Sequence, residues 1–167
     1  MIHLYCGSGK GKTTAAMGLA LRAAGRGKPV VIAQFLKGED SGERRILERL
    51  PQVNLLPLPE TIQFTFAMSE EEKEKEKVRY QCMLKEIADA AQVCELLILD
   101  EVCAAVNTGM ISLQAILQLL DGLTCEIVMT GREPAQELEQ RADYITCMEK
   151  VRHPYDEGIC AREGIEY

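Results

Sequence analysis

The sequence predicts an α/β protein, a three-layer sandwich with helices on both faces of a mostly parallel central sheet. Three observations predict it. Six short apolar runs alternate with segments of helical periodicity along the 167 residues. Runs such as Val30–Leu36 and Leu96–Leu99 are apolar at nearly every position, as strands buried on both faces are. The stretches between runs have room for the helical crossovers that join parallel neighbours with right-handed connections.

In chain order the strands are expected at Ile2–Cys6, Val30–Leu36, Val53–Leu58, Leu96–Leu99, Glu126–Thr130 and Tyr144–Met148. Helices are expected near 13–25, 41–50, 69–93, 112–121 and 134–140. Gly25 and Gly27 follow the Ala-rich first helix, where a left-handed cap is expected. Ser69 with Glu72 three residues on is a capping-box signature for the third helix. The following run EEEKEKEK, with Glu71 and Lys75 four apart, reads as a solvated helical face. Pro57–Met68 has two prolines and ends near Phe64-Thr65-Phe66, so it reads as a loop that is unusually apolar. With no internal repeat and no Pro/Gly-rich linker, residues 1–167 are expected to form one nucleotide-binding domain.

Composition excludes several classes. Apolar residues make up 47%, which argues against disorder. A net charge of −7 and the absence of Trp argue against nucleic-acid binding. No apolar run is long enough for a membrane span and no signal peptide opens the chain, so a soluble, cytoplasmic protein is expected. Seven scattered cysteines without a C-x-x-C pair read as reduced thiols filling core space rather than as a zinc site. The charge is uneven: residues 1–28 hold five bases (Lys10, Lys12, Arg22, Arg26, Lys28) and no acid, which suggests a local anion site.

Gly7-Ser8-Gly9-Lys10-Gly11-Lys12-Thr13-Thr14 lies between the first strand and the first helix. That is the context of a phosphate loop. Glycines let backbone N–H groups face phosphate oxygens, and the helix start adds its positive dipole end. Lys12 supplies a point charge and Thr13 a hydroxyl for Mg²⁺. The usual spacing places a glycine five residues before Gly11. Cys6 stands there, so the loop is one residue short. Leu96–Leu99 ends in Asp100-Glu101, acids expected beside the loop at the C-terminal edge of the sheet, able to hold a metal. Thr130-Gly131-Arg132 brings a cation to the same edge, facing either phosphate or a surface carboxylate. These residues specify ATP with Mg²⁺ on a P-loop NTPase fold of the RecA-like kind. They leave phosphoryl transfer, hydrolysis and displacement at the ribose 5′ carbon open.

The chain resembles the P-loop-type ATP:corrinoid adenosyltransferases. The shortened loop GSGKGKTTAA followed by ALRAAG, then QFLKG, LLILDEV, MTGREP and the tail RHPYDEGICAREGIEY match the family in order and spacing. The resemblance implies that Gly7 to Thr14 cradle the triphosphate and that Arg22 reaches phosphate. It implies that Thr13, Glu101 and Asp100 hold Mg²⁺ or Mn²⁺. Phe64-Thr65-Phe66 stands where the family often has Phe-Thr-Trp, aromatics near the lower face of the corrin. Phe64 and Phe66 would then help remove the lower ligand of cobalt, Phe66 with less area than Trp and no N–H.

Many relatives carry an N-terminal arm, whereas this sequence starts at the first strand. The implied chemistry is attack of Co(I) of a reduced corrinoid on the 5′ carbon of ATP, with triphosphate leaving intact. No general base is required, and Lys12 would steady the leaving charge. The resemblance also implies a flavoprotein-type reductase as electron donor and a homodimer. A RecA-like ATPase, a small-molecule kinase and an ATP-binding regulatory module are the alternatives that share the loop.

Overall fold

The computed structural model describes residues 1–38, 41–58 and 68–166. Phe64 and Phe66, with most of the apolar loop, lie outside the described residues. The chain runs β1 (Ile2–Cys6), α1 (Lys12–Ala24), β2 (Val30–Gln34), α2 (Gly42–Leu47), β3 (Val53–Leu55) and α3 (Glu70–Ala91). It continues through β4 (Leu96–Asp100), α4 (Val102–Asn107), α5 (Leu113–Asp121), β5 (Glu126–Thr130), α6 (Gln136–Arg141) and β6 (Tyr144–Cys147), then a 3₁₀ turn at Pro154–Glu157.

The strands form one six-stranded sheet in the order β3-β2-β4-β5-β1-β6. Every pairing among the described residues is parallel. The loop strand β1 and the acidic strand β4 are therefore not neighbours; β5 lies between them. All loops that follow strands gather at one edge, where α/β proteins bind ligands.

Side-chain alternation along the strands builds two cores. Val30, Ile32, Leu96, Ile98 and Val128 meet Ala16, Met17, Ala20 and Ala24 of α1 on one face. Val31, Ala33, Leu97, Leu99, Ile127 and Met129 meet Tyr80, Met83 and Ile87 of α3, with Ile116 of α5 and Leu138 of α6, on the other. The small residues of α1 let it lie close to the sheet, which fixes the height of the loop before it. The next position on the α1 face at three strand ends is Gln34, Asp100 and Thr130. The parity that buries Ile32, Ile98 and Val128 thus aims three polar side chains at the start of α1.

Several boundaries differ from expectation for identifiable reasons. β2 stops at Gln34 because Leu36 takes a left-handed conformation with φ 52°. Helix α4 has no sequence signal: it is six residues long and starts from Glu101 at φ 59°, with no side-chain cap. At the end of α1 the left-handed residue is Gly27 at φ 76°, while Gly25 is right-handed at φ −63°. The capping box of Ser69 and Glu72 on α3 and the Glu71–Lys75 ion pair are both present. Of the cysteines, Cys6 and Cys103 are buried as core thiols. Cys94 and Cys125 are partly exposed, and Cys82, Cys147 and Cys160 are exposed, which corrects the expectation that all fill the core.

Candidate active site

The loop 7–11 leaves β1 and turns into α1 through Gly11 at φ 108°. The sharper requirement is at Gly7, with φ 95°: a Cβ there would lie 2.5 Å from the Met148 carbonyl oxygen and 2.9 Å from Cys147 Sγ. The loop is braced from behind by backbone. Gly7 N–H donates to the Arg132 carbonyl at 2.9 Å and Gly9 N–H to the Met148 carbonyl at 2.6 Å. Ser8 Oγ accepts from Lys150 N–H at 3.3 Å. The amides of Gly7 and Gly9 thus hold the loop in shape. The amides on offer to an anion are those of the uncapped first turn of α1, at Lys12, Thr13 and Thr14. Gly7→Ala is expected to destabilise the fold by about 3 kcal/mol, through overpacking and left-handed strain. Urea unfolding would measure it, and a change near zero would mean the β6 segment yields freely.

Lys12 is buried, and its Nζ donates to the carbonyls of Gly7 and Gly9 at 2.7 Å each. Thr13 hydroxyl donates to Asp100 Oδ1 at 2.8 Å, which joins α1 to β4 across the intervening strand. Asp100 is fully buried. Its Oδ1 also accepts from Thr130 hydroxyl at 2.8 Å and its Oδ2 from Gln34 Nε2 at 3.0 Å. Behind them, the buried Arg44 donates to Gln34 Oε1 at 3.0 Å and to the Leu56 carbonyl at 3.0 Å. Thr130 Oγ1 accepts the Glu101 N–H at 2.8 Å, so the same network sets the backbone of the second acid. Arg44 carried no functional signal in the sequence, and Gln34 entered only as the first residue of the matched block QFLKG. The available signal was a lone polar residue closing the apolar strand VVIAQ.

Glu101 combines two costly features. It is a non-glycine residue at φ 59°, and burial, followed by the Asp100 charge, pushes its carboxyl above the ordinary range. Lys12, Arg132 and Lys37 pull the other way. Strain and a desolvated charge at one residue mark a functional position. With its folded pKa raised, Glu101 subtracts stability as pH rises through the carboxylate range. Glu101→Gln should therefore raise the melting temperature of the metal-free protein at neutral pH, and the gain should vanish below that range. A lower melting temperature at neutral pH would instead mark the carboxylate as a structural support.

Ser8 to Thr14, Glu101, Arg132, His153, Ile165 and Glu166 line one depression over the loop. Arg132 lines this depression together with the loop and acts on the Glu101 carboxylate, so phosphate and carboxylate are both within its surroundings. The tail was not expected here: Glu166 pairs with Lys10 at 3.4 Å and with Arg162 at 3.0 Å. Arg162 holds the Glu166 carboxyl down at about 2. Arg22 is not brought to the loop. It sits in the last turn of α1 and lines a separate depression with Met1, His3, Arg26 and Glu126 at the opposite edge of the sheet. A helix rise of about 1.5 Å per residue over the stretch from Lys12 keeps it away.

Comparison with known proteins decides between the chemistries that the loop shares. The sequence profile of ATP:corrinoid adenosyltransferase BtuR/CobO/CobP matches residues 1–167. The chain belongs to this ATP:corrinoid adenosyltransferase family. It is 33% identical over 171 residues to the corrinoid adenosyltransferase of Escherichia coli K12, covering all of this chain and 85% of that protein. It is 30% identical to the corrinoid adenosyltransferase CobA of Salmonella typhimurium with the same coverage. A KaiC-like protein from Pyrococcus horikoshii aligns in structure with a TM-score of 0.53 at 19% identity, covering 89% of this chain and 70% of that one. That likeness concerns the fold, which is P-loop and RecA-like. The adenosyltransferase reaction moves the adenosyl group of ATP onto a corrinoid, so the substrates are a nucleotide triphosphate and a cobalt macrocycle. Among the described residues, no helix is long and apolar enough to cross a membrane.

Proposed function

We propose that this adenosyltransferase positions ATP with its triphosphate on Lys12 and the first turn of α1. Co(I) of the reduced corrinoid then attacks the ribose 5′ carbon, and triphosphate leaves intact. The cobalt–carbon bond forms as the carbon–oxygen bond breaks, and no proton moves. The observation that supports this reading is the full-length family match over a site where a buried ammonium and uncapped helix amides face one depression. Catalysis here is positioning plus stabilisation of charge gathering on the leaving group.

The donors suit a divalent cation. Thr13 hydroxyl lies 2.8 Å from Asp100, and the neighbouring Glu101 carboxylate is destabilised by burial and by Asp100. Hard oxygen ligands and a standing repulsion between carboxylates fit Mg²⁺ or Mn²⁺ held by Thr13, Asp100 and Glu101. When bound, the ion would offset triphosphate charge. Gly7, Ser8, Gly9, Lys10 and Gly11 shape the loop, and Thr14 adds an amide of the first turn of α1. Phe64 and Phe66 are the proposed corrin-side aromatics. Arg22 is left out of the phosphate set, since its position at the far edge supports no such role.

The proposal extends to a cytoplasmic, single-domain enzyme that works as a homodimer and receives its corrinoid reduced by a flavoprotein-type donor. The test is anaerobic: ATP, Mg²⁺ and chemically reduced Co(I) corrinoid are mixed with the protein while the visible spectrum and triphosphate are followed. Loss of the Co(I) band with stoichiometric triphosphate is expected. Release of phosphate or diphosphate with an unchanged spectrum would overturn the reading. In the same assay Phe66→Ala should impair corrinoid use more than ATP use; equal losses would point to core damage.

A further inference from the structure

The second chemically distinctive feature lies at the opposite edge of the sheet from the phosphate loop. Cys94 follows α3 and stands just before β4, and Cys125 stands just before β5. The two strands are parallel neighbours with Leu96 paired to Glu126, and Glu126 N–H donates to the Glu95 carbonyl at 3.0 Å. In this register Cys125 stands opposite Glu95, one step from Cys94, so the two thiols interact diagonally where the neighbouring strands begin. Both are partly exposed, and both line one open depression of about 460 Å³ with Lys28, Glu95 and Glu126.

The pair is chemically asymmetric. The hydrogen bond from Cys94 brings the Cys125 thiol down to about 7, against burial and with help from a backbone hydrogen bond. The same contact, and then burial, pushes Cys94 up. Cys94 Sγ also lies 3.6 Å from the Ala91 carbonyl at the end of α3. The charged groups around them are largely matched: Lys28 pairs with Glu95, and Glu126 lies 3.1 Å from His3. The lowered thiol of Cys125 suits it to attack, and the raised thiol of Cys94 suits it to resolve. Another cysteine pair, the register partners Cys6 and Cys147 on β1 and β6, sits behind the phosphate loop, with Cys147 Sγ packed close to Gly7. Cys6 is buried, and burial raises its thiol.

We propose that Cys94 and Cys125 are a redox-active dithiol that closes to a disulfide by exchange with a small-molecule disulfide. The Cys125 thiolate attacks one sulfur of the small disulfide; that sulfur–sulfur bond breaks, and the departing thiolate takes a proton from solvent. Cys94 then releases its proton, and its thiolate attacks Cys125 Sγ and expels the second small thiolate. The protein dithiol loses two electrons, the small disulfide gains them, and two small thiols result.

The experiment treats the reduced full-length protein with glutathione disulfide at neutral pH, blocks remaining thiols by alkylation, and maps peptides by mass spectrometry. The expected product is a cross-linked peptide pair joining Cys94 to Cys125, lighter by two hydrogens. Cys94→Ser should stop the reaction at a persistent glutathione adduct on Cys125, and Cys125→Ser should leave Cys94 unmodified. The alkylation rate of Cys125 should reach half its maximum near pH 7 in the unaltered protein and at higher pH in Cys94→Ser. Full alkylation of both cysteines after treatment, or cross-links confined to other cysteines, would overturn the proposal.

Discussion

Replacing Lys12 by alanine is expected to lower kcat/KM for ATP by about 10²–10³-fold, the range for removing a preorganised donor from a transition-state charge. The fold should survive. Lys12 is 7% exposed and its ammonium is held by two carbonyls, not by a carboxylate, among the described residues. Two hydrogen bonds worth about 1 kcal/mol each are lost, and the cost of keeping a charge out of water is removed with them. The two effects oppose, so thermal unfolding should move by only a few degrees. Lys12→Arg should not restore turnover: a planar guanidinium cannot reproduce a compact ammonium between Gly7 and Gly9 carbonyls. Separate kcat and KM values for ATP check the role. A loss mainly in kcat assigns the ammonium to the leaving group, a loss mainly in KM assigns it to ground-state binding, and an unchanged kcat/KM would exclude it from the site.

The parts of this site that the sequence displays are the contiguous ones. A glycine-rich stretch between an apolar strand and an Ala-rich helix is a local pattern, and so is an apolar strand closed by Asp100-Glu101. What the sequence hides is assembled by strand parity and strand order. Gln34, Asp100 and Thr130 are far apart in the chain. They become neighbours only because β2, β4 and β5 lie side by side in register. Arg44 illustrates the same limit from a helix: nothing in the sequence singled it out, yet in the six-residue α2 it is buried against Gln34 and the Leu56 carbonyl. Arg22 shows the converse error. A basic island in sequence suggested one anion site, but a helix carries its residues along an axis, and α1 delivers Lys12 and Arg22 to opposite edges of the sheet. Helix α4 escaped because its start depends on a left-handed Glu101, a conformation that residue type disfavours and the Thr130 contact helps hold.

Asp100→Asn should cost both stability and activity, and a compensating change should return only the first. In the native network Asp100 Oδ1 accepts two hydroxyls and Oδ2 accepts Gln34 Nε2, while Gln34 Oε1 accepts from Arg44. An asparagine that keeps the hydroxyl contacts presents its amide NH₂ to the NH₂ of Gln34. Turning Gln34 over removes that clash and aims its NH₂ at the Arg44 guanidinium. Turning the asparagine over instead sets its NH₂ against Thr13 and Thr130, and the Thr130 hydroxyl already accepts the Glu101 N–H. Each arrangement leaves a buried polar mismatch, worth about 2–3 kcal/mol. Adding Gln34→Glu supplies a carboxylate that accepts from both the new amide and Arg44, restoring the donor–acceptor pattern and the net charge. Urea unfolding of Asp100→Asn and of the double variant should therefore show a loss that is mostly recovered. Adenosyl transfer should stay about 10²-fold down in both, because the charge has moved away from Thr13. Recovery of activity together with stability would reduce Asp100 to a structural support and leave Glu101 as the acid that serves the reaction.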